Sequence, residues 1–494
     1  MTHKEIMQIE ETLDPEDWEA LRALGHRMVD ELLEMQRDIR QQPVWKPLEE
    51  ELKEAFREPL PRQGEGAEQA YAEFVEYLLH NPMGNIHPRF WGWVIGGGTP
   101  LGALAEMLAA GLNPNMGGAE HAANYAERQV VAWCKEMLGY PVEASGLLVS
   151  GGSMANFVGL AVARNTQAGY DVRQEGVGAN GKRMVLYASE QAHSSVQKAV
   201  ELLGLGSAAL RKVAVNSELE MDLAVLLELI AADREAGYQP FCVVGTLGTT
   251  NTGAIDDLPA LARICRDEGL WFHVDGAFGA IAALSEKLRP LTAGMVEADS
   301  LAFDLHKWLS VPHEAGCILV RDEAAHRKSF TLTPDYLMKM KRGLAAGAPW
   351  YSDYGLELSR NFKALKVWMM FKADGIDKYA RMVEKNVAQA QYLMRRVDES
   401  AELERLAPVP LNVVCFRYAA AGMDDEALNA LNRELLLRLH ESGIAAPSYT
   451  LLNGRYALRV ANVNHRSQRE DFDILVEAVQ KLGRELVEEA QRDR

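Results

Sequence analysis

The rhythm of apolar positions changes twice along the chain. From residue 1 to about 85 the pattern is polar and helical, with Leu21, Leu24, Met28, Leu32 and Met35 recurring every three or four residues. The run Asp14, Pro15, Glu16, Asp17 reads as a helix start, with Asp14 as N-cap and Pro15 in the first turn. Beyond that helix, Pro43, Pro47, Pro59 and Pro61 interrupt the pattern. Apolar residues are too few here for an independent core, so this segment is expected to pack on something larger. From 86 to 375, continuous apolar runs at 183–189, 241–248, 270–276 and 317–322 alternate with helical stretches at 154–165, 194–204, 220–234 and 258–268. Strands without polar alternation are buried on both faces, which predicts an α/β domain with a mainly parallel sheet between helices. From 376 to 494 the chain is helix-rich with strand candidates at 413–419 and 456–462, predicting a small α+β domain. The stretch 341–355 mixes glycine, small residues and aromatics and reads as a mobile loop.

Length agrees with that division, since 494 residues exceed one small core and suit a large domain with smaller companions. The net charge of −18 argues against general nucleic-acid binding, which needs basic surface, but leaves room for a local basic pocket. Cys134, Cys242, Cys265, Cys317 and Cys415 are odd in number, widely spaced and free of CxxC pairs. That pattern fits a reducing compartment and gives no support to a metal site. The first 18 residues are acidic and lack an apolar h-region, and no run approaches the roughly 18 apolar residues of a membrane span. A cytoplasmic enzyme is the expectation.

Four short segments carry candidate chemistry. Residues 150–156, SGGSMAN, follow a strand-like LLV and open a helix. Small residues and free amides there can cradle a phosphate, although a tight serine-capped turn explains them equally well. His193, in SEQAHSS at the end of a predicted strand, can stack on a flat ring or handle a proton, or belong to a capped helix start. Asp275 ends the apolar run WFHVD, where an unpaired carboxylate costs several kcal/mol. A protonated ring nitrogen would pair with it, and so would a structural salt bridge. Lys307, in SLAFDLHKW, stands in an apolar strand-to-loop setting that favours a neutral, nucleophilic amine, whereas most lysines are simply on the surface. Together the four supply a phosphate cradle, a stacking group, a ring-nitrogen partner and a Schiff-base amine, which is the set that pyridoxal 5′-phosphate (PLP) requires.

The segments SEQAHSSVQKA (189–199), GTLGTTNTGAIDDL (245–258), HVDGAFG (273–279) and DLHKWLSVP (304–312) resemble the group II PLP-dependent decarboxylases, the family of aromatic-L-amino-acid and glutamate decarboxylases. The resemblance runs from about residue 85 to the C-terminus. It implies the aspartate aminotransferase-like fold type I, with a helical segment 1–85 that wraps a partner subunit, a PLP-binding domain 86–375 and a C-terminal domain 376–494. It implies a homodimer with the site near the interface. By the same resemblance Lys307 carries PLP as a Schiff base, Asp275 pairs with the pyridinium nitrogen, Ala277 lies against the ring and His193 stacks on its other face. Gly152 and Ser153 match the phosphate-binding turn, Asp304 and His306 are further cofactor contacts, and Thr246 lies near the ring hydroxyl. Tyr336 matches the loop tyrosine that helps protonate the carbanion after CO2 leaves, and relatives with Phe there make aldehydes with oxygen.

The substrate segment is HPRFWGWVIGGG (87–98), where Trp91, Trp93 and Val94 are candidate pocket residues. The two tryptophans can wall a flat side chain, cap an aliphatic one, or belong to the core. Arg89 points toward an acidic substrate or a structural role. Arg459, in RVAN, resembles an arginine near the active site. The expected reaction is decarboxylation of an L-amino acid, aromatic before aliphatic or acidic. An aldehyde synthase or aminotransferase is the alternative within PLP chemistry. Outside it stands a serine hydrolase using Ser153, His193 and Asp275, although GGSMA is not a GxSxG elbow.

Overall fold

The computed structural model describes residues 12–332, 339–347 and 349–492. In chain order the strands are β1 (Phe90–Trp91), β2 (Ser145–Val149), β3 (Met184–Ser189), β4 (Leu210–Val213), β5 (Gln239–Thr246), β6 (Trp271–Asp275), β7 (Ser300–Asp304), β8 (Gly316–Val320), β9 (Leu403–Arg405), β10 (Val413–Tyr418), β11 (Ala446–Leu452) and β12 (Arg455–Ala461). β2 to β8 form a seven-stranded sheet in the order β2-β8-β7-β6-β5-β3-β4. Only β8 runs against its neighbours β2 and β7; the other pairs are parallel. Valine, leucine and phenylalanine on both faces of β3, β5, β6 and β8 pack into two apolar layers, one on each side of the sheet. The expected central strands and helices are present, with no end shifted by more than three residues.

The parallel sheet has a consequence for chemistry. β2, β3, β5, β6 and β7 all end at the same edge, at Val149, Ser189, Thr246, Asp275 and Asp304. Loops beyond that edge are the usual place for function in such sheets.

The second sheet has the order β1-β11-β12-β10-β9. Helices Ile376–Asp398, Asp425–Glu441 and Arg469–Arg492 cover it with the third apolar cluster. β1 pairs in parallel with β11, Phe90 opposite Ala446 and Trp91 opposite Pro447. Residues 90–91 therefore belong to the small sheet. Two residues carry too little pattern to announce a strand, and their partner lies more than 350 positions later.

Trp91 owes its place to this pairing. It is 1% exposed, stacks on Phe472 at 4.8 Å and donates from its indole nitrogen to Ser467 Oγ at 3.1 Å. It is a core residue of the small domain.

Two further expectations are corrected. The first long helix is Trp18–Asp38 with Asp17 as its N-cap, because the Asp17 carboxylate reaches the amides of Glu19 and Ala20. The Asp14 amide instead closes a local turn on Thr12 Oγ1. In 341–355 the end is no loose loop, since Trp350, Tyr351, Asp353 and Tyr354 are buried and the two tyrosines join the core.

Of the apolar stripe on Trp18–Asp38, only Leu24 is buried, while Trp18 is 61% exposed and Leu21 and Met28 are also open. Among the described residues, no helix is long and apolar enough to cross a membrane.

The burial of Trp91 sets an expected outcome. Trp91→Ala should lower the free energy of denaturant-induced unfolding by about 3–5 kcal/mol. Trp93→Ala, at a side chain 56% exposed, should change it by roughly 0.5 kcal/mol or less.

Candidate active site

Lys307 lies just past β7 in a turn held by the amides of Leu305 and His306 on the Ala315 carbonyl. The next residue, Trp308, is wholly buried and donates to Asn386 Oδ1 at 3.1 Å, which anchors the turn. The Lys307 ammonium is 2.9 Å from Asp304 Oδ2, and its side chain is 23% exposed. The apolar surroundings expected for this lysine are thus replaced by an ion pair in a partly open site.

Asp275 ends β6, the neighbour of β7, and is buried. Its Oδ1 accepts from the Ala277 amide at 3.1 Å and its Oδ2 from Asn156 Nδ2 at 2.9 Å. Both bonds fix the orientation of the carboxylate at the inner end of the strand. Across the sheet, Thr246 at the end of β5 stands opposite Asp275. The Thr246 amide donates to Asp256 at 2.7 Å, while its hydroxyl oxygen has no protein partner. Burial pushes the Asp256 carboxyl up to about 6 against the two amides that hold it.

The glycine turn sits beside these groups. The helix Gly152–Gln167 starts without a side-chain cap, so its first amides are free for an anion. A Cβ on Gly152 would lie 2.9 Å from Asp304 Oδ2 and 3.6 Å from the Ala277 methyl, and one on Gly151 would lie 3.2 Å from His306 Cε1. Gly152, Ala277, Asp304 and His306 are therefore in one place. Ser153 is exposed at the same helix start. His306 accepts the Ala315 amide on Nδ1 at 3.1 Å, and burial pushes its pKa down to about 4.

His193 precedes the helix Ser194–Leu202 and accepts the Ser195 amide on Nδ1 at 3.2 Å. One side of the residue is open to solvent, yet loss of hydration still lowers its pKa, while nearby Asp275 works the other way. His193 Nδ1 is engaged by Ser195 and makes no hydrogen bond to Asp275. The Ser–His–Asp relay of a hydrolase is therefore not formed.

The segment 93–98 closes over the lysine turn, and a Cβ on Gly96 would collide with the carbonyl oxygens of His306 and Lys307. Trp93 has φ 50° and an exposed side chain; Val94 is buried. Arg459 is buried and clamps three parts together: its guanidinium donates to the Trp93 carbonyl at 2.8 Å, the Asn251 carbonyl at 3.0 Å and Ser448 Oγ at 3.0 Å. Burial pushes its pKa down to about 10, and Nη2 has no protein partner. Arg89, by contrast, donates to the Ile444 carbonyl at 2.6 Å and lies 3.7 Å from Asp471 Oδ1, a structural role in the small domain. Tyr336 lies outside the described residues.

Sequence reasoning passed over Asn156, Ser195, His273 and Ser300, all buried and hydrogen-bonded behind Asp275. The signal for them was that all four sit inside the segments carrying the candidate chemistry, Asn156 in SGGSMAN, Ser195 in SEQAHSS, His273 in HVDGAFG and Ser300 in SLAFDLHKW.

Orphan polar atoms provide a test of what the site accepts. Buried Thr246 Oγ1, Asp304 Oδ1 and Arg459 Nη2 have no partner in the protein. Together with free helix amides, a ring-nitrogen acceptor and an accessible lysine, they fit a planar phosphorylated ligand with a ring hydroxyl and an aldehyde, which is PLP.

The pyridoxal-dependent decarboxylase conserved domain matches residues 50–419. The chain is 32% identical over 476 residues to an aromatic-L-amino-acid decarboxylase of Bacillus atrophaeus, covering 95% of this chain and 96% of that protein. It is 29% identical over 456 residues to a phenylacetaldehyde synthase of Arabidopsis thaliana, covering 91% and 93%. The solved structure of Oryza sativa TDC with PLP and tryptamine superposes with a TM-score of 0.88 at 25% identity, covering 96% of this chain and 100% of that one. The chain therefore belongs to the pyridoxal-dependent decarboxylase family, and is a fold type I carboxy-lyase that acts on an amino acid with pyridoxal 5′-phosphate as its cofactor.

Proposed function

We propose that this enzyme converts an aromatic L-amino acid to the corresponding amine and CO2, as a cytoplasmic homodimer. The observation that carries the reading is the convergence of Lys307 and His193, just past β7 and β3, with Asp275 and Thr246, at the ends of β6 and β5, on one sheet edge next to the uncapped helix start at Gly152. Aromatic-type decarboxylases among its relatives support the substrate class. Trp93 supports it too, because an exposed indole three residues before the Gly96 contact can stack on a flat side chain. Val94 lines the same segment.

Bound PLP supplies an electron sink for the pair left when the Cα–carboxylate bond breaks. Lys307 would hold the cofactor through its ε-nitrogen, at the place where the substrate amine is to be bound. Asp275 would keep a proton on the ring nitrogen, Thr246 would lie near the ring hydroxyl, and Ala277 and His193 would bracket the ring. Gly152 and Ser153 face the phosphate, with Asp304 and His306 as further cofactor contacts. His193 and Tyr336 return a proton to Cα after CO2 leaves. The 93–98 segment shields the site from water.

The dimer is supported by apolar surface that this chain leaves uncovered: Trp18, Leu21 and Met28 on one helix, and Met107, Leu108 and Leu112 on helix Pro100–Leu112. Covering such faces with a second copy removes them from water. The five free cysteines, all buried, support a reducing compartment such as the cytoplasm.

The phenylacetaldehyde synthase relative favours one second reading, oxidative deamination. There amino acid, O2 and water give aldehyde, CO2, ammonia and hydrogen peroxide.

Purified protein should show the visible absorbance of bound PLP and release CO2 and amine from tryptophan, tyrosine or phenylalanine. Lys307→Ala should lose both, and turnover confined to glutamate or a small aliphatic amino acid would overturn the substrate assignment. Tyr336→Phe should divert product from amine to aldehyde with peroxide, read by a coupled peroxidase assay; wild-type enzyme that already makes mainly peroxide would establish the second reading. Sedimentation should give twice the 54.7 kDa chain mass, and a stable active monomer would remove the dimer.

A further inference from the structure

Behind Asp275 runs a row of buried polar groups whose donor and acceptor roles can be worked out from both ends. At one end is Trp271, whose indole N–H can only donate; it donates to Ser300 Oγ at 2.8 Å. The hydroxyl hydrogen of Ser300 is then free for His273 Nδ1, also 2.8 Å away. At the other end is the Asp275 carboxylate, which only accepts, so Asn156 must turn its amide nitrogen toward it. That places Asn156 Oδ1 against His273 Nε2 at 3.0 Å, and this ring nitrogen must carry the proton. The two ends agree: His273 accepts on Nδ1 and donates from Nε2, as a neutral imidazole does. Full burial keeps it neutral by pushing its pKa down to about 4.

Asn156 has a second amide hydrogen, which goes to Ser195 Oγ at 2.9 Å. The Ser195 hydroxyl hydrogen is then left for His193 Nδ1 at 2.8 Å, and the Ser195 backbone amide points at the same nitrogen. His193 Nδ1 thus receives two hydrogen bonds and has no room for a proton of its own.

We propose that the directed chain Trp271, Ser300, His273, Asn156, Ser195 holds His193 as the tautomer protonated on Nε2, and that Asn156 couples this choice to the orientation of Asp275. The five are positioning residues, acting through His193 and Asp275. The inference rests on the reading in which His193 faces the cofactor ring. On that reading, the chain presents an N–H rather than a lone pair on the side of His193 away from Ser195, so that the neutral residue can donate a hydrogen bond there. It also makes one amide group answer to both cofactor-facing residues. Loss of Asn156 disturbs the two together, whereas loss of the Ser195 hydroxyl disturbs only His193.

The test is 15N NMR of holoenzyme labelled with 15N-histidine, with the His193 signals identified by their loss in His193→Gln. Wild-type enzyme at neutral pH should show Nδ1 unprotonated and Nε2 protonated. Ser195→Ala should shift the Nδ1 resonance and Ser195→Thr should restore it, with PLP affinity near wild type in both. Asn156→Ala should shift the same resonance and weaken PLP binding roughly tenfold or more, as expected for a lost hydrogen bond to a charged group. A proton on Nδ1 in wild-type enzyme that shows the visible absorbance of bound PLP would overturn the proposal, and this measurement needs no variant to fold. Unchanged His193 signals in both Ser195→Ala and Asn156→Ala would overturn it too. Protein that has the Nε2 proton but never binds PLP would instead sink the proposed function and leave the hydrogen-bond chain intact.

Discussion

A carboxylate at the inner end of an apolar strand is the constraint on which this structure turns. Asp275 lies between Thr246 and Ala302 on neighbouring strands of the central sheet and is nearly inaccessible to water. An unpaired charge there would cost several kcal/mol. The amides of Ala277 and Asn156 meet part of that cost and leave the carboxylate able to face a cation. Asn156 in turn has to be satisfied, and so do His273 and Ser300 behind it. One charged group thus imposes a buried polar network on a core that is otherwise valine, leucine and phenylalanine, and the network specifies which rotamer and tautomer each member takes.

The sheet's mixed polarity decides what surrounds that charge. Six strands end at the same edge, but β8 reverses between β7 and β2. The reversal brings the glycine turn after β2 against the start of β8, where a Cβ on Gly316 would lie 2.5 Å from Gly151 Cα. Only small residues allow this approach. Through it the uncapped helix start comes beside Asp304 and His306, although more than 150 residues separate them.

The small domain is tied to the same edge rather than simply attached behind it. Arg459 on β12 holds the Trp93 carbonyl and the Asn251 carbonyl beyond β5, while Trp91 anchors the start of the same segment in the small-domain core. The segment 91–96 therefore connects a rigid core at one end to the backbone of Lys307 at the other.

Residue pattern was enough to dictate the layered α/β domain, because strands buried on both faces must be continuously apolar and the helices between them must carry one apolar stripe. It also marked Lys307, Asp275, His193 and the glycine turn, since each is a polar or small residue set where an apolar pattern ends. Packing in three dimensions settled the rest. Trp91 and Trp93 look alike in sequence, yet one stacks on Phe472 in a core and the other stands exposed, because only pairing with β11 separates the two faces of that segment. Arg89 and Arg459 look equally available, yet one is taken by Ile444 and Asp471 while the other keeps a free nitrogen near the site. The Asn156 and His273 network was invisible for the same reason. A hydrogen bond depends on distance and direction between atoms far apart in the chain, and no local pattern of residues encodes either.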